Sequence, residues 1–193
     1  MNYKLKRHSI IKILILILII LTAGCTVNHY LQYHCFYPLK YYDIVTSNAQ
    51  KYDIDPLLIM ALIKAESNFD PEAVSHKDAV GLMQITPSTA QWASQQMGLT
   101  GYSQEKLSDP QVNISIGVWY LDYLLSYYDD NLQLALAAYN AGVGNVDNWY
   151  ENNQIEEKGG LISLPYNETS NYIIKTDTYY ERYKQMYSDK EIG

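Results

Sequence analysis

Glu66 is the residue in this chain best placed for acid chemistry. It closes the run Leu57-Leu58-Ile59-Met60-Ala61-Leu62-Ile63-Lys64-Ala65, which is apolar on nearly every face, and it precedes a polar turn and the segment Gly81-Leu82-Met83-Gln84-Ile85. Asp55 is a good N-cap and Pro56 suits a first helical turn, so the spacing predicts a buried helix ending at Glu66. Burial disfavours the ionised form of a carboxyl group, so an acid in this position can keep its proton near neutral pH and donate it. The simpler reading is a glutamate that leaves the core for solvent or for a lysine such as Lys64, the usual fate of acidic side chains.

Other chemistries find little support. The formal net charge of −7 argues against a nucleic-acid-binding surface, and no cluster of Lys and Arg follows residue 12. The chain has no phosphate-cradling glycine loop, no His/Cys set with metal spacing and no Gly-x-Ser-x-Gly turn, so neither a metal nor another cofactor is expected. At 193 residues and 48% hydrophobic, it is long enough for one domain with a real core and short for two.

The elements that must position Glu66 are mostly helical. Helical spacing predicts helices from Pro38 to Tyr52, from Thr86-Pro87 to Met97 with Gly98 closing it, and from Asp109-Pro110 to about Tyr128. Leu132 to Tyr139 is short, apolar and expected to be buried, stopping at Asn140-Ala141-Gly142. Asn152 to Leu164, with Gly159-Gly160, reads as a loop, and a last helix runs from Glu168 to Tyr187. Only His76 to Ile85 is suited to a small hairpin. The fold expected is mainly α, a compact helical domain with at most a small β element.

Residues 1–36 are read as a targeting segment and linker, and residues 37–193 as the functional domain. Lys4, Lys6, Arg7 and Lys12 form a basic region before the Ile/Leu run Ile13 to Leu21 and the sequence Thr22-Ala23-Gly24-Cys25. The small residues before Cys25 resemble a bacterial lipoprotein processing site, which would make Cys25 the lipidated terminus; an uncleaved signal anchor is the alternative. Either places the domain outside the cytoplasm, attached to the membrane. Cys35 is the only other cysteine, so no disulfide framework is expected, and a small hydrophobe is the plain reading of it.

Three ordered motifs carry a resemblance. Glu66-Ser67-Asn68-Phe69-Asp70-Pro71 with Ala73, Ser75, Gly81 to Ile85, Pro87 and Thr89-Ala90 resembles the first signature of the lytic transglycosylase domain of the soluble lytic murein transglycosylase type. Ala138-Tyr139-Asn140-Ala141-Gly142 resembles the second, and Leu164 to Thr169 with Tyr172 the third. The resemblance implies a lysozyme-like fold and cleavage of the β-1,4 bond between N-acetylmuramic acid and N-acetylglucosamine in peptidoglycan. Glu66 would protonate the glycosidic oxygen and then deprotonate the muramyl C6 hydroxyl, giving a 1,6-anhydro product. It implies peptidoglycan strands as the partner, and a monomer is expected.

A single acid matters because ordinary glycosidases need two carboxylates, about 5–5.5 Å apart for retention and about 6.5–9.5 Å for inversion. Asp70, Glu72 and Asp78 are the near candidates, and Asp70 before Pro71 reads as a turn residue. The resemblance assigns sugar contacts to Ser75, Gln84, Tyr139, Asn140, Glu168 and Tyr172. Four of them have a plainer role: turn serine for Ser75, core packing for Tyr139, helix end for Asn140, and first-turn charge for Glu168; Gln84, in an otherwise apolar segment, is read as functional. Gly81 is read as allowing close backbone approach at the cleft floor. Thr86 and Ser170 depart from the pattern, where a hydrophobic residue and an arginine are usual. A hydrolase that uses water, and a non-catalytic wall-binding module, are the alternative readings.

Overall fold

The computed structural model describes residues 3–158 and 161–188, which pack as two units, residues 1–40 and residues 41–193. The first unit holds α1 (Tyr3–Leu31) and a short π-helical turn, Gln32–Phe36. Within Ile11–Phe36 an 18-residue window reaches a mean hydropathy of 2.3, and the segment is long and apolar enough to cross a membrane; a signal segment meets the same description. Cys25 and Cys35 are exposed free thiols within it. Residues 27–36, at the end of the stretch read as targeting segment and linker, are helical.

The second unit is built around α3 (Pro56–Glu66). The Asp55 carboxylate accepts from the Leu57 N–H at 2.8 Å, satisfying one of the free donors that open a helix. Ile59 to Ile63 are completely buried, and each such aliphatic side chain contributes about 1.5–3 kcal/mol through removal from water. Around α3 pack α2 (Tyr42–Tyr52) and the terminal helix α8 (Asn167–Tyr187). The predicted helix from Pro38 begins only at Tyr42, because Tyr41 takes a left-handed φ of 61° that a continuing helix cannot use.

Between α3 and α8 lie α4 (Pro87–Gln96), a 3-10 turn Gln104–Ser108, α5 (Pro110–Tyr127), α6 (Leu132–Ala141) and α7 (Val143–Glu151). Thr86 caps α4, and Asp109 caps α5 by accepting from Gln111 and Val112 N–H groups. α5 turns Ile114, Val118, Leu121 and Leu124 into the core. The run Ala135 to Ala138 in α6 is buried with it, its small side chains permitting close packing.

The strand assignment needs correcting. Glu156–Lys158 (β1) and Leu161–Ser163 (β2) pair antiparallel, with Glu157 opposite Ile162, where a loop was expected. The loop reading of Gly159 and Gly160 lies outside the described residues. The region expected to form a hairpin contains instead two isolated bridges, Val74 to Val80 and Val80 to Ile85. Sequence reasoning assigned no element to Val143–Glu151, whose Val146 and Trp149 are buried.

Candidate active site

α3 delivers Glu66, and its end is tied to the loop above it. Ser67 donates its hydroxyl to Leu82 O at 2.8 Å, and Asn68 and Phe69 then take left-handed φ values of 51° and 67° that turn the chain sharply. Asp70 is the turn residue expected, accepting from the Glu72 N–H at 3.0 Å.

The segment Val80 to Gln84 is held from beneath by Asn113 of α5. This fully buried amide donates to Val80 O at 2.9 Å and Leu107 O at 2.8 Å, and accepts from Met83 N–H at 2.8 Å. Gly81 has φ +80°, and a Cβ there would come within 2.5 Å of the Asn113 amide nitrogen. Its glycine requirement therefore comes from the packing beneath the loop, not from the cleft floor as expected. Gln84, at φ 47°, donates to Ala73 O and Gly81 O, so it braces the loop with its amide nitrogen and leaves Oε1 for a ligand.

Tyr139 from α6 donates to Met83 O at 2.9 Å, and Tyr172 from α8 donates to Glu66 Oε1 at 2.5 Å. Asn140 Oδ1 accepts from the Thr169 hydroxyl at 3.0 Å, which orients the amide nitrogen as the remaining donor. Lys175 caps the end of α3 by donating to Ala65 O at 2.7 Å. Ser75 spends its hydroxyl oxygen on the Lys77 and Ala79 N–H groups, as a turn serine does.

Burial pushes the half-buried Glu66 carboxyl up to about 7, while the Tyr172 hydrogen bond and the Lys175 charge pull it part of the way back. Burial, and then the neighbouring Glu66 charge, holds the Tyr139 and Tyr172 phenols well above their ordinary range. Both stay donors at any physiological pH. A carboxyl raised toward neutrality in this way can hold a proton in one step and be ionised in the next, the condition in which one group can donate and later accept a proton.

A cavity of about 160 Å³ surrounds the acid, and its walls bring Glu66, Ser75, Gln84, Tyr139, Asn140 and Glu168 together. Tyr172 meets this set through its contact with Glu66. The cavity continues on one side into a space of about 250 Å³ beside Trp149, Tyr166 and Thr169, and on the other into about 220 Å³ beside Tyr120 and Thr89. Lys77 and Asn140 border all three spaces, so the cavities form one open cleft. Cys25 lies in the other unit. Among the described residues no group of His, Cys, Asp and Glu has the arrangement of a metal site.

Sequence reasoning missed Asn113, Lys77 and Lys175. Asn113 was detectable as a polar residue one turn before Ile116 and Gly117 on the buried side of α5. Lys77 and Lys175 carried no such signal, because an exposed lysine looks the same whether or not it borders a cleft.

A helical domain whose buried central helix presents one desolvated glutamate to an open cleft has the lysozyme-like form. Residues 43–162 match the transglycosylase SLT domain family, and the chain belongs to that family. It is similar to the soluble lytic murein transglycosylase of Escherichia coli, 34% identical over 80% of this chain and 24% of that one. It is also similar to membrane-bound lytic murein transglycosylase C of Shigella sonnei, 31% identical over 76% of this chain and 47% of that one. The chain thus spans about a quarter of the length of its soluble relatives.

Solved structures agree in fold. The 70 kDa soluble lytic transglycosylase of Escherichia coli superposes with a TM-score of 0.70 at 32% identity, over 80% of this chain and 25% of that one. An inactive glutamate-to-glutamine mutant of lytic transglycosylase Slt from Pseudomonas aeruginosa gives 0.70 at 29% identity over the same shares. The soluble enzyme in complex with bulgecin A gives 0.72 at 34%. The family match ends at residue 162, so Glu168 and Tyr172 come from a helix beyond it.

Proposed function

We propose that this chain is a peptidoglycan lytic transglycosylase that cleaves the β-1,4 bond between N-acetylmuramic acid and N-acetylglucosamine. The observation that carries the reading is Glu66 itself, a half-buried carboxyl at the end of a buried helix, held by Tyr172 and lining an open cleft. Protonated Glu66 gives its proton to the glycosidic oxygen as the bond to the anomeric carbon breaks. The resulting carboxylate takes the proton of the muramyl C6 hydroxyl, whose oxygen bonds to that carbon and closes a 1,6-anhydro ring. Glu66 ends protonated, and no water is consumed.

The remaining groups supply positioning. Tyr172 holds the carboxyl in one orientation and steadies its charged form. The free amide nitrogen of Asn140 and Oε1 of Gln84 meet sugar substituents, Tyr139 offers a ring edge to a pyranose, and Ser75 and Glu168 border the same space. That a glutamate-to-glutamine change inactivates a relative supports the role of the acid. Residues 1–36 act as a lipoprotein signal with attachment at Cys25, or as an uncleaved anchor, and keep the monomeric domain of residues 37–193 at the outer side of the membrane.

One observation favours a second reading. Glu168 borders the same cavity as Glu66, so a hydrolase with Glu168 activating water has a second carboxylate available. Mass spectrometry of muropeptides released from purified peptidoglycan by the detergent-solubilised chain separates the two. Products one water lighter than reducing muropeptides are expected, and none from Glu66→Gln; reducing ends would establish the hydrolase. Binding to peptidoglycan with no released product would leave a wall-binding module.

A further inference from the structure

A second cavity of about 350 Å³ is walled by Tyr127, Tyr128, Asp129, Leu134, Asp147, Tyr150 and Glu151, and shares no wall residue with the Glu66 cleft. Its rings are set in place. Tyr127 donates to one oxygen of Asp147 at 2.9 Å and Tyr128 to the other at 3.0 Å, holding the two rings at 73° with centroids 4.9 Å apart. Tyr150 is 68% exposed and Tyr127 48% exposed, so both rings face solvent.

The cavity is joined to the cleft by a file of aromatic rings along α5. Tyr127 lies 6.0 Å from Tyr123, Tyr123 is nearly parallel to Tyr120 at 6.4 Å, and Tyr120 lies 5.4 Å from Tyr139. Tyr120 and Tyr139 themselves border the cleft. Trp92 and Trp119 flank Tyr123 at 4.9 Å and 5.9 Å. None of these rings is fully buried, because Ile114, Val118, Leu121 and Leu124 already supply the core face of this helix.

A half-buried file of this kind suits a ligand with apolar faces and polar edges. A pyranose ring has both: its C–H faces stack on tyrosine and tryptophan, and its hydroxyl and acetamido groups bond carboxylates such as Asp129 and Glu151. The Asp147 bonds fix two of the rings before binding, so little side-chain entropy is lost when a ligand settles on them. A polymer leaving the cleft past Tyr139 and Tyr120 meets Tyr123 next and then this cavity.

We infer that the Tyr127–Tyr128–Tyr150 cavity is a second, non-catalytic glycan site, reached along the α5 ring file, that holds a distal part of the β-1,4-linked amino-sugar strand being cut at Glu66. It rests on the function proposed above. Its consequence is that long strands bind more tightly than the cleft alone allows.

The test uses the full chain in detergent with Glu66→Gln to prevent turnover, and β-1,4-linked N-acetylglucosamine oligomers, a trisaccharide and an octasaccharide, as probes. Calorimetry should show the octasaccharide binding more tightly, with quenching of Trp92 and Trp119 fluorescence by the octasaccharide alone. Tyr150→Ala should reduce the ratio of long to short affinity by about three- to tenfold, the scale of one lost aromatic contact. Asp147→Ala, which frees the two fixed rings, should reduce the same ratio. Equal affinity for both oligomers, or an unchanged ratio in both variants, would overturn the site. So would a concentration-dependent dimer lost in Tyr150→Ala without any length dependence, which would make the cavity a contact between copies. Length-dependent binding together with no muropeptide release by the unsubstituted chain would leave this site standing and remove the catalytic reading.

Discussion

The phenol of Tyr172 meets the carboxyl of Glu66 at 2.5 Å although the two residues are 106 positions apart. One comes from the last turn of a buried helix and the other from the start of the terminal helix, so the acid is oriented only when α3 and α8 have packed.

That contact sets a pH dependence. Tyr172 stabilises the ionised carboxylate, so Tyr172→Phe should raise the Glu66 value above about 7. Hydrogen bonds to charged groups contribute about 1.5–3 kcal/mol, so the alkaline limb of the rate profile should move up by about one to two pH units. The measurement is kcat against pH on isolated peptidoglycan. A purely structural role for Tyr172 would lower the rate and leave the limb where it is.

The same acid costs stability when ionised. Its folded value of about 7 stands above the ordinary 4.5, so folding takes up a proton between those values. Stability from this group is complete below 4.5 and is lost as pH rises through 7. Glu66→Gln removes the titration, so the variant should gain up to about 3 kcal/mol on the parent between about pH 5 and about pH 9. Denaturant unfolding of both at the two pH values checks this; a constant difference would mean that Glu66 ionises without penalty.

Asn113→Ala removes three hydrogen bonds from beneath the loop of Gly81 to Gln84; Val80 O keeps the Ile85 N–H, while Leu107 O and the Met83 N–H lose the Asn113 amide. A loss of about 3 kcal/mol or more is expected. Thermal unfolding reads the loss, and amide exchange at Met83 should rise more than exchange in α2.

Gly117 lies against Met83, where a Cβ would come within 2.4 Å of the sulfur and 2.9 Å of the methionine Cβ. Gly117→Ala should therefore destabilise by about 1–3 kcal/mol despite the better helix propensity of alanine. Combining it with Met83→Ala should give a smaller loss than the two separate losses together, read from the same unfolding curves.

Local chemistry made much of this protein readable from the chain. Asp55, Thr86 and Asp109 announce three helices because an oxygen just before a first turn has free N–H groups to accept from. The all-round apolarity of Leu57 to Ala65 requires a central helix, and with it a desolvated acid at its end. The β1–β2 pair and the helix Val143–Glu151 were missed because short elements are stabilised by what they pack on: Ile162 N–H donates to Gln133, and Trp149 is buried by its neighbours. Tertiary structure alone decided the partners of the acid. Tyr172 and Lys175 reach the end of α3 from α8, while Asn113 and Tyr139 reach the loop of Val80 to Met83 from α5 and α6, and no periodicity within one helix encodes which distant segment its side chains will reach. It also decided that Gly81 answers to Asn113 and that Ser75 answers to its own turn, because a hydrogen-bonding group takes whichever partner the folded backbone brings within reach.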